Sequence, residues 1–581
     1  MNVIQPSIPS NWLDVCANMF GPTESRNDHP LSWAWDRVLR LLSSGAGLHD
    51  VELALRKVTR RFQEMMMQAL REALQQLDDR LAHPPCPHCT RPMWRNRLES
   101  LTLQFLEGEI SLLRRYSECR PCGIHLHPLD VWLGLPEKGE CTPQFGQDLC
   151  LLSIHLPAQT AVDVLAAITG RRVGRSALQQ YVERDGDALV ALEREEAAGL
   201  WPWDEKNRIR ALEPLGGLPL RKAPVPGDVL IIEMDGVFAN IGREPSIIAE
   251  FEEYEALKKQ LAKAGKPPPS DIPSRFREVR QARLYRLEDR VTKKTRTGGR
   301  RTSLSRSETV SVVNDPEYFR RRVQAVTHSW QATKYKRIVV LGDGGDFVWE
   351  VSRTIVNATI EVLDVQHARS HIHACGRALY GDGNPGATAW GRQWSTHVYD
   401  SGPDGLLAEL TRLKQQGGPA SAERVLTNLL DYVTKHRLRM DYPGFRALGL
   451  PIASGAIESA NRQVVGDRCK RSGMRWTRDG LQRILSLRAA YLSGNWEHVF
   501  AAIRAQRAIR TPVKVRLSDQ AGHEEEARRG SPPACQVKSQ TTAAPDSLPD
   551  IPARKIPELL RSGFLKRTAD GKLVEARVAT A

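Results

Sequence analysis

Four short segments of this chain carry acids at positions where chemistry is possible: Ile231-Ile-Glu-Met-Asp235-Gly236, Val340-Leu-Gly-Asp343-Gly344, Leu363-Asp364-Val-Gln-His367 and Ser454-Gly-Ala-Ile-Glu458-Ser459. The first three read as apolar strands that end in a carboxylate. The fourth reads as a helix opening with a glutamate in its first turn. Mg²⁺ takes hard oxygen ligands and keeps several waters. Asp235, Asp343 and Glu458, converging from distant segments, could therefore hold two Mg²⁺ or Mn²⁺ ions roughly 3.5–4 Å apart across one phosphate. One ion would help deprotonate an attacking water or 3′-hydroxyl, and the other would stabilise the leaving oxygen. Each acid also has a plainer reading, since Asp-Gly is common in turns and a glutamate suits any first helical turn. Two Asp-Gly pairs after apolar strands, plus Ser-Gly-Ala-Ile-Glu-Ser ahead of a basic helix, weigh toward a metal site. Asp346 competes with Asp343, but its place at the opening of the next helix suits a cap.

A second constellation is the pair Cys86-Pro-His-Cys89 and Cys119-Arg-Pro-Cys122. Each pair can supply two thiolates to one tetrahedral Zn²⁺, with His88, His125 and His127 as substitutes for one ligand. Such a site is structural and belongs to a DNA-contacting or scaffold module. Unligated thiols are the plainer alternative.

The elements around these groups follow from periodicity. From Trp33 to Leu81, Leu53, Leu55, Val58, Phe62, Met66, Leu70, Leu74 and Leu77 recur at helical spacing, so residues 1–82 form a helical N-terminal region. Alternation through Leu101, Leu103 and Phe105, then Ile110 and Leu112, predicts a β-hairpin turning at Glu107-Gly108-Glu109. It would bring the two cysteine pairs together in a zinc-binding module over 83–140. Two short helices, Ala161 to Thr169 and Ser176 to Val182, flank a turn carrying Arg171, Arg172 and Arg175. They suggest a helix-turn-helix within 141–200, with Ser176 as cap, although such pairs also serve as plain packing units.

The run Val229 to Met234 predicts a strand buried on both faces. The polar stretch 252–307, with its basic run Arg290 to Arg301, reads as a flexible insertion in which Phe276 to Leu284 could be a strand. A strand from Arg337 to Leu341, a helix from Asp346 to Val356 and a strand from Thr359 to Leu363 form a strand-helix-strand unit. It sets Asp343 and Asp364 at the ends of neighbouring parallel strands. A helical insertion over 368–450 precedes Glu458. The fold class is thus an α/β core over 225–500 with smaller modules before it and a tail over 512–581 that reads as disordered.

The 581 residues require several domains, and the net charge of +15 favours a polyanionic partner. No run of about 18 apolar residues marks a membrane span, and the other six of the ten cysteines are too scattered for a disulfide framework. A reducing cytosol is the expected compartment.

The four acidic segments, the continuation Ser454-Gly-Ala-Ile-Glu458-Ser-Ala-Asn-Arg-Gln-Val-Val-Gly-Asp-Arg-Cys-Lys-Arg-Ser-Gly-Met-Arg-Trp476, the cysteine pairs and Pro128-Leu-Asp-Val-Trp-Leu-Gly-Leu-Pro136 resemble the Kra-type bacterial insertion-sequence transposases, relatives of the Mutator-like group. The resemblance spans about Cys86 to Phe500. It implies an RNase H-like catalytic core in which the first and fourth strands are adjacent, with Asp235, Asp343 and Glu458 as a DDE triad. Asp364 and His367 would match the Mutator-like signature of Cys or Asp, two residues, then His. There His367 could contact the scissile phosphate or donate a proton, with Asp364 orienting it; the alternative is that Asp364 only caps a helix. The resemblance also implies DNA ends and target DNA as partners, a homodimer or larger assembly, and a cytoplasmic, nucleoid-associated protein. Phosphate contacts would come from Arg462, Arg468, Lys470, Arg471 and Arg475, with Trp476 either stacking on an unpaired base or anchoring the core. A non-catalytic, zinc-containing DNA-binding regulator would use the same basic modules, and a nuclease without strand transfer would use the same acids.

Overall fold

The N-terminal periodicity resolves into one 33-residue helix, α1 (Leu48–Arg80). The computed structural model describes residues 40–41, 43–45, 47–135, 141–198, 219–264, 266–296, 298–417, 420–471, 473–510, 565–567 and 573–575; the start of the expected helical region, with Trp33, lies outside them. Helical spacing did not translate into burial along all of α1. Leu53, Leu55, Met66 and Leu70 are exposed, and only Ala54, Leu74 and Asp78 are buried. The buried end rests on the expected hairpin of β1 (Trp94–Gln104) and β2 (Glu109–Cys119), where Leu101 pairs with Leu112 and Leu103 with Ile110. Asp78 locks this contact by accepting from both the backbone and the guanidinium of Arg115, each at 3.1 Å. A third strand, β3 (Ile124–Leu126), pairs with β2 and leads into α2 (Pro128–Leu133).

Three helices follow: α3 (Pro143–His155), capped by the Thr142 hydroxyl, α4 (Ala158–Thr169) and α5 (Arg175–Ala198). Helix α5 differs from expectation. It begins at Arg175, so Ser176 lies inside it and not at the cap, and it runs 24 residues instead of ending near Val182. The reason is tertiary. Gly186 lets another helix cross so closely that a Cβ there would lie 2.8 Å from the Cβ of Arg483. The last turns of α5 enter a buried ionic network: Arg322 donates to Glu193 at 3.0 Å and Glu196 at 2.8 Å, and Arg221 bridges Glu196 and Glu308. Buried ion pairs seldom add net stability, but removing one member leaves uncompensated charge. The change Arg322→Met is therefore expected to lower the unfolding free energy by about 3–5 kcal/mol, read by denaturant titration. Burial opposes the charge on Glu196, yet Arg221 and Arg322 hold its pKa at about 2. Its stabilisation is present above the ordinary value of 4.5 and disappears as pH falls toward about 2.

The central sheet is built from β4 (Val229–Asn240), β5 (Phe276–Arg286), β8 (Glu308–Val313), β9 (Arg337–Gly342) and β10 (Ile360–Leu363), in the spatial order β10-β9-β4-β5-β8. Helix α6 (Pro245–Lys263) lies between β4 and β5 in the chain, and β6 (Arg290–Lys294) and β7 (Arg300–Leu304) form a separate hairpin. Residues 252–307 are therefore not an insertion beside the sheet, because β5 pairs with β4 over its whole length and with β8 on its other edge. The β4–β9 and β9–β10 pairs are parallel; the others in this sheet are antiparallel. Helix α7 (Pro316–Ser329), capped by Asp315, covers part of the sheet through Phe319, Val323 and Val326.

Helix α8 (Asp346–Val351) widens into a π-type turn over Ser352–Val356 before β10. The expected helical stretch follows as α9 (Val365–Tyr380), α10 (Pro385–Ser401), α11 (Asp404–Gln416), α12 (Ala420–His436) and α13 (Tyr442–Ala447). Then come α14 (Gly455–Ala460), a π-type turn over Asn461–Gly466, α15 (Arg478–Leu492) and α16 (Trp496–Arg510). Two large apolar clusters result. One packs most of the sheet against α7 to α13; the other packs α3 to α5, α15 and α16 with the far ends of β4, β5 and β8. The architecture is mixed α/β around a mixed five-stranded sheet. The chain divides into two units, Met1–Ser518 and Asp519–Ala581; the expected disordered tail lies almost wholly outside the described residues, and within the second unit β11 (Leu565–Arg567) pairs antiparallel with β12 (Leu573–Glu575). Among the described residues no helix is long and apolar enough to cross a membrane.

Candidate active site and candidate metal centre

The parallel pairing of β4 and β9 puts Met234 opposite Gly342, so the next residues, Asp235 and Asp343, are neighbours across the sheet. Asp364 follows at the same level, its N–H donating to the Gly342 carbonyl at 2.8 Å. Asp343 does end its strand, and its Oδ1 accepts from Gly345 N–H at 3.0 Å. Asp235 does not. Its strand continues to Asn240, because the antiparallel ladder to β5 outlasts the parallel ladder to β9, so Asp235-Gly236 is mid-strand and not a turn. Burial raises the Asp235 pKa and the nearby charge of Asp343 adds to the rise, while Gly236 N–H, the Asn461 amide and His367 favour the charged form.

Glu458 reaches this corner on α14. Three residues further along the same helical face, Asn461 Nδ2 donates to Asp235 Oδ2 at 2.6 Å. Glu458 itself is exposed. The three carboxylates are not drawn together: among the described residues the four-cysteine cluster is the only group of three or more such ligands within 4.8 Å of one another. The donor set nonetheless suits Mg²⁺, because all three are hard oxygens and Asp235 and Asp343 repel each other in the absence of a cation.

Sequence reasoning missed the groups that hold this corner. Glu233, two residues before Asp235 and so on the same face of β4, is fully buried. Its oxygens accept from Tyr285 Oη at 2.6 Å and from the Ile457 backbone N–H at 2.8 Å. It thereby pins the first turn of α14, while Arg283 donates to the Ala456 carbonyl at 3.0 Å. The signal was legible as the lone acid in the apolar run Val229 to Met234. Burial lifts the Glu233 pKa to about 7, against the hydrogen bonds from Tyr285 and Ile457 and the charges of Arg283 and Arg290. The folded-state pKa lies above the ordinary 4.5, so this group's contribution is fully present below about 4.5 and is lost as pH rises through about 7. Glu233→Gln is expected to flatten that part of the stability-versus-pH curve, by about 3 kcal/mol between the two limits. Thermal unfolding followed across that pH range checks it.

Asp364 is 1% exposed and fully engaged. Oδ1 caps α9 by accepting from Gln366 and His367 N–H, and Oδ2 accepts from the Ser454 N–H and hydroxyl. It positions both α9 and the loop before α14, which is the capping alternative together with a second anchor. His367 is exposed on the first turn of α9. Further along, the His371 ring lies 4.3 Å from Tyr432, whose hydroxyl donates to the Asp343 carbonyl at 3.3 Å. Asp346 has Gly345 before it as cap and pairs with Lys435.

The basic residues divide. Arg172, Arg175, Arg462, Lys470 and Arg475 are exposed. Arg475, with Arg243 and Arg275, lines a groove of about 820 Å³ floored by Ile247 and Phe251. Arg171 is half-buried and donates to Gln104. Arg468 is buried, donates to the Ser153 carbonyl at 2.8 Å, and is lowered by burial to about 10. Arg471 bonds the carbonyls of Asp467 and His155. The Trp476 indole donates to the Cys469 carbonyl at 3.1 Å and packs against the second apolar cluster. Arg468 is therefore a core anchor, and the half-buried Trp476 is held against the core by its indole: both donors satisfy buried carbonyls that would otherwise be orphaned.

The four cysteines converge as expected, with all Sγ atoms within 4.8 Å. Two similar turns achieve it. Thr90 N–H donates to the Cys86 carbonyl at 2.9 Å and Gly123 N–H to the Cys119 carbonyl at 2.8 Å. Thr90 and Gly123 follow the second cysteine of each pair with left-handed φ values of 60° and 67°. The Cys89 to Cys119 separation of 3.5 Å is close to the roughly 3.8 Å between ligands of a tetrahedral Zn–S₄ site. Burial pushes the Cys86 thiol up, but donation from Cys89 and His88 N–H and the neighbouring thiols brings it to about 7; the Cys89 thiol and burial push Cys122 up to about 12. His127 bonds the Arg115 carbonyl and Glu99, so it is not a substitute ligand. His88 Nδ1 lies 3.5 Å from Cys122 Sγ. The thiols fit Zn²⁺ as a structural site.

Compared with known proteins, the chain matches no protein-family model and no curated protein.

Proposed function

We propose that this chain is a DNA transposase with an RNase H-like core, which hydrolyses a phosphodiester at the ends of its own mobile element and joins the freed 3′-hydroxyl to target DNA. The observation that carries this reading is the in-register parallel pairing of the first and fourth strands of the sheet, β4 and β9, which sets Asp235 beside Asp343 while Asn461 links Asp235 to the helix of Glu458. First and fourth strands are adjacent in an RNase H-like sheet. Asp235, Asp343 and Glu458 would hold Mg²⁺ or Mn²⁺, which when bound activates the attacking oxygen and offsets charge on the leaving one. Asn461 and Gly236 N–H fix the rotamer of Asp235, and Glu233 and Asp364 fix α14 and the loop before it. His367, on the open side and near Asp235, can deliver a proton to the leaving oxygen.

The zinc-stabilised hairpin and the exposed Arg172 and Arg175 would contact DNA outside the cleavage site. Two element ends must be processed together, which favours a homodimer or larger assembly acting in the cytoplasm at the nucleoid. The test is a cleavage and strand-transfer assay with purified protein, Mg²⁺ or Mn²⁺, and DNA flanking the reading frame, run beside a chelator control. Metal-dependent nicks at fixed ends and joined products support the transposase. Tight binding without cutting in either metal replaces it with a DNA-binding regulator, and cutting without joining replaces it with a nuclease.

A further inference from the structure

We propose that the outer face of α9 and α10 is a second nucleic-acid site, which grips the sugar-phosphate backbone through Arg369, Arg377 and Arg392. Gln366, Arg369, Ser370, His373 and Arg377 line one groove of about 360 Å³ along α9, and the exposed Arg392 on α10 follows Gly391, whose backbone packs against the His373 ring. Burial lowers the His373 pKa, and the charges of Arg369, Arg377 and Arg392 lower it further; Arg369 and Arg377 stand one turn to either side of His373 on the same helix face.

Most arginines on the neighbouring helical segments have acid partners. On the neighbouring helical segments Arg412 pairs with Glu409, Arg437 with Asp404, Arg439 with Glu361 and Arg446 with Asp400. Among the described residues Arg369, Arg377 and Arg392 have no such pair, and α9 has no acidic residue while α10 has only Asp400, in its last turn. Gathering three cations without a counter-charge costs free energy in the isolated protein, and a bound polyanion removes that cost.

The platform is rigid. A Cβ on Gly391 would lie 2.4 Å from His373 Nδ1, and one on Gly376 would lie 2.7 Å from the Ala387 carbonyl, so the two helices meet backbone to side chain at the first glycine and backbone to backbone at the second. Residues 369, 373 and 377 share one face of α9 at steps of about 6 Å, near twice the 3.4 Å per-strand rise of B-DNA. The same helix starts with His367 beside Asp235, so a strand held on this face is led toward the carboxylates. None of the five lining residues is a large apolar group of the kind an interfacial helix inserts into lipid.

The choice of nucleic acid rests on the function proposed above, but the test needs no cleavage. Binding of the full chain to a short labelled DNA duplex, in chelator and over a series of salt concentrations, is compared with that of Arg369→Ala/Arg377→Ala/Arg392→Ala. Removing three phosphate contacts should weaken affinity on the order of 10- to 100-fold and flatten the log–log salt slope by about 2.7. The control Lys259→Ala/Lys263→Ala/Lys266→Ala removes the same charge from an exposed stretch elsewhere and should leave both quantities nearly unchanged. An Arg→Lys triple should keep most of the slope, which separates lost contacts from lost folding. Equal weakening by both alanine triples, or by neither, overturns the inference. So does a groove variant that loses anionic phosphatidylserine vesicles while keeping DNA. Protein that never cuts DNA but loses binding only in the groove variant retires the transposase and keeps the groove.

Discussion

Asp235→Asn is expected to abolish metal-dependent DNA cleavage, by about 10³-fold or more, while leaving the protein as stable as before or slightly more so. The loss follows from the chemistry: an amide is a poor ligand for a hard divalent ion, and several kcal/mol of charge stabilisation in the transition state go with it. The stability follows from the geometry. Burial and Asp343 both disfavour the Asp235 carboxylate, so neutralising it relieves desolvation and repulsion. The new amide oxygen can still accept from Gly236 N–H, as Asp235 Oδ1 does at 2.7 Å. The new amide nitrogen would meet Asn461, whose Oδ1 is buried without a partner and needs only an amide flip to accept from it. Parallel cleavage and thermal-unfolding measurements check both halves. A variant that still cuts removes Asp235 from the site, and one that unfolds early makes it a structural residue.

Removing zinc, by chelation or by Cys119→Ser, is expected to unfold the cysteine module while the central sheet stays folded. The module has almost no core of its own: Cys86, Met93 and Cys119 are its buried centre, with Cys89, Cys122, Ile124 and Leu126 packed around them. That is too little apolar surface to offset chain entropy. A structural Zn²⁺ contributes about 10–16 kcal/mol in small zinc-binding peptides, which is ample to order it. The hairpin leucines Leu101, Leu103 and Leu112 have separate support from α1 and should persist. Hydrogen exchange should show protection lost over residues 84–93 and 119–126 and retained in β4 and β9, alongside the loss of one zinc per chain by elemental analysis. Unchanged protection would mean that the thiols need no metal.

Elements whose partners lie close in sequence were legible. The hairpin register through Leu101 and Leu103 was carried by alternation and a glycine turn, and the Cys-x-x-Cys pairs at its base met as a local consequence. The parallel unit from Arg337 to Leu363 was equally readable, because two short apolar runs flank a segment of helical periodicity, the pattern of a strand-helix-strand crossover. Strand β5 was read only as a doubtful strand inside a polar insertion. Half-buried polar residues such as Arg280 and Arg283 stand among the buried Val279, Gln281, Ala282, Leu284 and Tyr285, and the polar flanks obscure that the strand lies inside the sheet between β4 and β8. The α5 helix was cut short for a related reason: Asp185, Glu193 and Glu196 look solvent-facing in sequence, and only Arg507, Arg221 and Arg322 from other segments make their burial tolerable.

The same division runs through the site. Residue types and spacing alone determined which acids to watch, that the cysteines would pair across a hairpin, and that Asp364 was suited to cap a helix, because each rests on a local geometric rule. Whether an arginine or a tryptophan faces solvent depends on which carbonyls are left unpaired nearby, and no local rule encodes that. Tertiary structure therefore decided that Arg468 belongs to the core and that Trp476 packs on it, that Asn461 holds Asp235, and that Glu233, an acid inside a strand, anchors the helix of Glu458 by accepting from the Ile457 N–H.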